Sequence, residues 1–125
     1  MKLLLFVAAE RVIRDSDEDR MTVVDIVDSI AAEGFPYYIS RLSLLMIYHR
    51  EETDSDTESV VITIRNNDHE MASREQKVRF SDKIGNRTVT DLNGFLLSQP
   101  GSFSVTIMQG DKELGKWSIP VALDN

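Results

Sequence analysis

The sequence contains no cysteine, which excludes disulfides, thiol catalysis and thiolate metal sites. It has only three prolines, and no linker, low-complexity stretch or internal repeat divides it. No apolar run approaches the roughly 20 residues that a transmembrane helix needs. These absences predict a single domain over residues 1–125 that has no membrane span and is stabilised by core burial alone.

Positive charge is also scarce, because 14 Lys and Arg residues stand against 21 Asp and Glu residues, for a net charge of −7. Nucleic acids and anionic membranes present phosphates that require a cationic surface, so the sequence predicts neither as a partner. The balance is compatible with a cationic partner or a divalent cation. A hydrophobic fraction of 42% argues against disorder.

The opening stretch, MKLLLFVAAERVIRD, resembles a secretory signal because a lysine precedes an apolar run. Signal peptides are roughly 15–30 residues long, whereas here the charges Glu10 and Arg11 follow the short run at once. A short apolar run fits a buried strand instead. We therefore expect a cytoplasmic protein and a first strand that is buried on both faces, with Leu3, Leu5 and Val7 on one face and Leu4 and Phe6 on the other.

Most of the remaining chain alternates apolar and polar residues with a period of two, which is typical of half-buried strands. The pattern predicts eight strands at about residues 2–13, 21–28, 39–50, 58–66, 71–80, 86–97, 101–109 and 114–123. The last two flank Gly110 and Asp111 and predict a C-terminal hairpin. The expected fold is all-β, an antiparallel immunoglobulin-like β-sandwich of seven or eight strands.

The strand at residues 39–50 carries apolar residues on both faces, including Leu45 and Ile47 on the face opposite Leu44 and Met46. Such a strand is expected to be central and covered on both sides. A second copy of the chain would supply the second cover, which makes a homodimer one expectation.

Residues 22–31 fit two structures. Val23, Ile26, Val27 and Ile30 have helical spacing, and Thr22 begins a possible capping box. The many β-branched residues favour a strand instead. Both alternatives stay open at this point, and the adopted prediction is a strand followed by one short helical turn near residues 26–32.

Acidic residues concentrate in alternate connections, at about residues 15–19, 51–58, 81–86 and 109–112. In an antiparallel fold alternate connections lie at the same end, so these loops would share one end while both termini lie at the other. Calcium takes six to eight oxygen ligands. The candidate metal ligands are Asp15, Asp17, Asp19, Asp54 and Asp56.

An EF-hand is excluded, because Arg20 stands where that loop requires glycine and Ile26 where it requires glutamate. The plainer interpretation is that acid-rich turns are solvated. Catalytic patterns are absent: His49 and His69 have no metal-binding spacing, and no nucleophile-elbow or phosphate-loop motif occurs. The sequence predicts no catalytic residue and no cofactor.

The function expected from these observations is a non-enzymatic domain that binds another protein or self-associates. Calcium binding is the alternative. A small hydrolase, which would need His49 or His69 beside a carboxylate and a nucleophile, is a third and less favoured class.

The order of segments LLFVAAERVIRD, RMTVVDIVDSI, GFP, ISRLSLLMIYHRE, VVITIRNND and PGSFSVTIMQGDKELGKWSIPV resembles a family of small uncharacterised bacterial β-sandwich proteins. Where that family often has DGKL after the first strand, this chain has the longer and more acidic DSDEDRM. The resemblance implies a β-sandwich, a bacterial source and a strand at residues 22–27. It implies no activity or catalytic residue.

Overall fold

A computed structural model describes residues 1–15 and 20–124 of the chain. These residues form eleven β-strands and no helix, so no helix among them could cross a membrane. The strands are β1 Lys2–Asp15, β2 Arg20–Ile26, β3 Ile30–Ala32, β4 Tyr37–Ile39, β5 Ser43–His49, β6 Thr57–Asn66, β7 His69–Arg79, β8 Gly85–Asp91, β9 Phe95–Leu97, β10 Gly101–Gln109 and β11 Lys112–Leu123.

Two main sheets form a β-sandwich, as the sequence predicts. The first has the strand order β2-β1-β5-β8 and the second β3-β11-β10-β6-β7, while β4 and β9 make a separate two-stranded sheet. All pairings are antiparallel except that of β3 with β11, which is parallel. The all-β class and the sandwich are confirmed, and the narrower immunoglobulin-like class stays a prediction.

The core lies between the two sheets and comes from the faces that the alternation predicted. In β5, Leu44, Met46 and Tyr48 are fully buried, and in β10 Phe103 and its alternate neighbours are buried too. The ring of Trp117 packs edge-on against Phe103, with 5.6 Å between the ring centroids. Core burial of large apolar side chains therefore stabilises the domain.

The C-terminal hairpin is confirmed. Strands β10 and β11 pair from Gly101 and Val121 to Gln109 and Lys112, which leaves a two-residue turn. Gly110 in this turn has φ +58°, a conformation that favours glycine.

The predicted helical turn near residues 26–32 is wrong. Strand β2 ends at Ile26, the chain crosses to the other sheet, and β3 pairs with the edge of β11. The N–H of Val27 donates to Ala8 O at 2.9 Å, and the N–H of Asp124 donates to Ala32 O at 2.7 Å. Pairing with two sheet edges satisfies this backbone, so tertiary contacts override the helical spacing.

Two predicted strands, at residues 39–50 and 86–97, are each broken in the structure. Breaks at about residues 40–42 and 92–94 detach β4 from β5 and β9 from β8, and the two detached pieces pair with each other. Gly94, in the second break, has φ +84°, a conformation that favours glycine. The N–H of Leu92 still donates to Leu42 O at 2.7 Å. The two breaks therefore lie opposite each other, next to the ends of β5 and β8.

Strand β1 turns back on itself across the outer face of the first sheet. Its first half pairs with β5, ending at Ala9 opposite Ser43. A straight strand would carry Arg14 about 30 Å from Ile47 along the sheet, at roughly 3.3 Å per residue. Instead, Arg14 and Ile47 line the same cleft, and Arg14 Nη2 donates to Arg87 O at 3.5 Å. The β1–β2 hairpin therefore folds back over β5 and β8.

This hairpin supplies the cover that the sequence assigned to another chain. Leu45 on the outer face is 2% exposed and Ala9 is fully buried, although neither belongs to the main core. The predicted burial of both faces of β1 is only partly right. A bulge between Leu3 and Leu5 leaves Leu4 62% exposed while Leu3 and Phe6 face the core.

Candidate functional site

Three of the four acid-rich connections that the sequence places at one end of the sandwich meet there, and residues 16–19 of the fourth lie outside the described residues. The N–H of Phe80 donates to Asp56 O at 2.8 Å and the N–H of Asp82 to Asp56 Oδ1 at 2.7 Å. Gln109 Nε2 lies 3.4 Å from Asp54 Oδ1. We call residues 50–56, 80–84 and 109–112 together the acidic end.

The N-terminus also lies at the acidic end, so the prediction that both termini occupy the opposite end is wrong for Met1. Its ammonium group is 2.7 Å from Asp54 Oδ2 and 2.9 Å from Glu51 Oε1. The prediction failed because β1 crosses the sheet and then folds back. The start of β1 and Arg14 therefore both lie toward this end.

This ion pair shifts the pKa values of both of its closest partners, Asp54 and the Met1 amino group. Burial by itself raises the pKa of the Asp54 carboxyl, but the bonds from the Met1 ammonium and the Glu51 N–H give a net pKa below its ordinary value. Burial likewise lowers the pKa of the Met1 amino group, yet its bonds to Asp54 and Glu51 raise the net value. Both groups are held in their charged forms.

The five candidate metal ligands have different positions. Asp54 and Asp56 lie on one loop, but their carboxylates already accept hydrogen bonds from the acidic end itself. Asp15 ends β1, and Asp17 and Asp19 lie outside the described residues. Among residues 1–15 and 20–124, no group of three or more histidine and acidic residues is arranged for a metal ion. Calcium binding stays a prediction.

The two histidines lie apart. His49 pairs with Gly85 next to the acidic end, whereas His69 pairs with Asn66 at the far end of β6. His69 shares a groove with Asp68 and Ser98. In the described part of the chain no hydrogen bond joins these three side chains.

A cleft of about 460 Å³ lies between the β1–β2 hairpin and the acidic end. We call it the cationic cleft, because four of its eleven lining residues are Arg14, Arg79, Lys83 and Arg87. The apolar side chains are those of Met21, Ile47, Phe80 and Ile84, and the remaining lining residues are Ser81, Gly85 and Asn86.

A tight turn holds one side of the cleft. Ser81 and Asp82 have φ +53° and +61°, and the N–H of Lys83 donates to Phe80 O at 3.0 Å, which defines a type I′ turn. Positive φ at a residue other than glycine costs on the order of 1 kcal/mol. Asp56 offsets this cost by accepting the N–H bonds of Phe80 and Asp82. The turn places Lys83 and Ile84 beside Arg79.

Three cations of the cleft lack an acidic partner within the described ranges. Other basic side chains form ion pairs, such as Lys77 with Glu75 at 2.9 Å. No described carboxylate lies within 4.0 Å of the charged groups of Arg14, Arg79 and Lys83. The cleft therefore concentrates positive charge in a chain of net charge −7.

Sequence reasoning did not find this cleft. Its residues come from three separated segments, and only the fold-back of β1 brings Arg14 and Met21 to β8. One signal was available: residues 77–87, KVRFSDKIGNR, hold four of the fourteen basic residues of an acidic chain.

A second surface lies at the opposite end, around the aromatic cluster at residues 35–38. Phe35 and Tyr37 pack against the core, so half of the cluster is structural. Tyr38, opposite Leu96 in the β4–β9 pair, is 57% exposed, and Leu96 is 55% exposed.

The family model that matches the chain is a family of unknown function (DUF6941), over residues 4–122. A search of curated proteins gives no match.

Proposed function

Because the chain belongs to this family of unknown function, whose description assigns no activity, we propose a function from the geometry of the chain itself. We propose that it is a non-enzymatic protein-interaction domain that contacts its partner through the cationic cleft. The compartment we propose is the cytoplasm.

The proposal rests on one concave site that holds three cations and an apolar surface, and these cations have no acidic partner among the described residues. Ile84 is 68% exposed beside Lys83. Solvated surface cations are ordinary when scattered, but mixed charged and apolar groups in a cleft are typical of recognition surfaces.

Self-association has less support than binding to a different protein. The sequence-based reason for a homodimer was an uncovered outer face of β5, and the β1–β2 hairpin covers Leu45 there. Two copies of net charge −7 also repel each other at long range. Calcium binding has less support because the Asp54 carboxylate is already neutralised by the Met1 ammonium.

Site-specific photo-crosslinking in cells tests this proposal. A photoreactive phenylalanine analogue replaces Ile84 in the cleft, and in a matched strain it replaces Glu113, which is exposed on β11. We expect a discrete adduct larger than the chain from position 84 and none from position 113. Mass spectrometry of the adduct names the partner.

The outcomes separate the alternatives. An adduct of twice the chain mass with an identical sequence would establish self-association instead. Equal adducts from both positions, or none from position 84, would contradict the cleft as the contact surface.

A further inference from the structure

We infer that the cationic cleft binds a short acidic segment of a partner protein that also carries an apolar side chain. This inference rests on the proposed function and specifies the chemistry of the partner. It follows from the charge, the shape and the apolar lining of the cleft.

The charged groups approach the cleft from three directions. Arg14 comes from the β1–β2 hairpin, Arg79 from the end of β7, and Lys83 from the type I′ turn. A guanidinium binds a carboxylate through two parallel N–H bonds, whereas a lysine acts as a point charge. Because the three cations come from three different elements, the set suits separate carboxylates along a peptide chain.

The apolar lining requires more than an anion. Ile84 is 68% exposed, and Met21 and Ile47 are half-buried in the same cleft. An inorganic anion would leave these side chains in water. A peptide that places one leucine-sized side chain against Ile84 would remove apolar surface from water on both partners.

The surroundings argue against a long polyanion. A second pocket lies directly beside the cleft, and its lining includes three acidic residues as well as Arg50, Lys83 and Ile84; the acidic residues are Glu51, Glu52 and Asp82. A nucleic acid strand that ran past the cleft would meet these carboxylates, and its affinity depends on many neutralised phosphates. A short acidic segment can end before it reaches them.

NMR titration of the whole isotope-labelled chain tests the inference. The probe is a synthetic peptide of about twelve residues with four glutamates and two leucines. One control peptide has lysines in place of the glutamates, and a second has serines in place of the leucines. We expect localised amide shifts at Arg79, Lys83 and Ile84 with the first peptide, none with the lysine peptide, and at least about tenfold weaker binding of the serine peptide.

Charge reversal supplies the second readout. In R79E/K83E we expect the shifts from the acidic peptide to disappear. The control R74E/K116E changes the net charge equally at exposed positions outside the cleft and should bind as the wild type does. Raising the salt from about 50 mM to about 300 mM should weaken binding severalfold, because exposed charges are screened. If R79E/K83E fails to fold, I84S, at a side chain in solvent, serves in its place.

Several outcomes would overturn the inference. These are the absence of localised shifts at millimolar acidic peptide, equal binding by R79E/K83E, complete competition by inorganic phosphate at equal concentration, or tighter binding of single-stranded DNA. If the peptide fails while a crosslinked adduct forms at position 84, the interaction function stands and only the acidic chemistry is wrong. If both fail, the cleft is not the contact surface.

Discussion

The hydroxyl of Tyr48 lies in the core, where the described residues offer it no hydrogen-bond partner. Burial raises the pKa of this phenol to about 12. A buried polar group without a partner destabilises the fold, whereas an apolar group of the same shape does not.

We therefore predict that Tyr48→Phe leaves the free energy of unfolding at pH 7 unchanged or raises it by about 1 kcal/mol. The folded pKa lies above the unfolded value of about 10, so wild-type stability falls as the pH rises past 10, because the unfolded phenol ionises first. Tyr48→Phe lacks this loss. The difference in the free energy of unfolding between this variant and the wild type should therefore be larger at about pH 11 than at pH 7.

Urea unfolding at both pH values measures the effect. Tyr38→Phe, at an exposed side chain, is the control and should follow the wild type. A loss of more than about 1 kcal/mol in Tyr48→Phe at pH 7 would mean that the hydroxyl has a partner in solution.

Asp54 illustrates the opposite case, a nearly buried carboxylate with good partners. Its side chain is 6% exposed and bonds the Met1 ammonium at 2.7 Å. Asp54→Asn should cost about 1–3 kcal/mol at pH 7, because it removes the closer of the two carboxylates that neutralise the Met1 ammonium.

The pH dependence of Asp54→Asn has a definite sign. The wild-type carboxyl has a lowered folded pKa, so its contribution is present above the unfolded value of about 3.9 and is lost as the pH falls through the folded value. The amino group has a raised pKa, so its contribution is lost as the pH rises through that folded value. Chemical denaturation from about pH 3 to 9 should show both slopes flattened in Asp54→Asn but not in the exposed control Glu52→Gln. Unchanged slopes would show that the pair does not form.

At the scale of elements, the β1–β2 hairpin determines whether the cationic cleft forms, because the folded-back hairpin lines one side of the cleft. The turn-back begins near Ala9, which is fully buried, and β2 opposite it has Asp25 at φ +56°. A small side chain lets the hairpin approach the sheet closely.

We predict that Ala9→Leu destabilises the domain by about 1–3 kcal/mol, because a larger side chain has no room between the hairpin and the sheet. Amide hydrogen exchange at Val27, whose N–H donates to Ala8 O, should accelerate in the variant. Glu10→Gln, at the exposed neighbouring position, should change neither quantity. A wild-type stability for Ala9→Leu would contradict a tightly packed fold-back.

The elements also show where sequence patterns suffice. The C-terminal hairpin follows from the alternation of β10 and β11 and from Gly110, which are local features. The separation of β4 from β5 does not, because it depends on pairing between Ile39 and Phe95, distant in the chain. The alternation of apolar and polar residues continues across the break, so the sequence pattern does not predict where the strand is interrupted.

At the scale of the whole molecule, the net negative charge is compatible with calcium binding, and a thermal melt tests it. We predict that millimolar calcium leaves the melting temperature within about 1 °C of the calcium-free value, because Asp54 and Asp56 are already bonded within the acidic end. The measurement includes Asp17 and Asp19, since it uses the full chain. Magnesium at the same concentration is the control.

A calcium-specific rise of about 5 °C or more would contradict this prediction, because a ligand that binds only the folded state must stabilise it. The test variant would then be Asp15→Asn, which should reduce the rise if this residue is a ligand. Asp54→Asn is less useful here, since it removes the ion pair with Met1 as well.

The sequence by itself determined the all-β class, the core-facing residues of β5, β6 and β10, and the meeting of three acidic connections at one end. Those properties follow from local alternation and from turn residues, which act over a few positions. Only the tertiary structure decided that β1 folds back, that this chain covers its own Leu45, and that Arg14 joins Arg79 and Lys83 in a cleft. The physical reason is that side-chain spacing sets which face of a strand is apolar, whereas packing between distant elements sets the path of the strand.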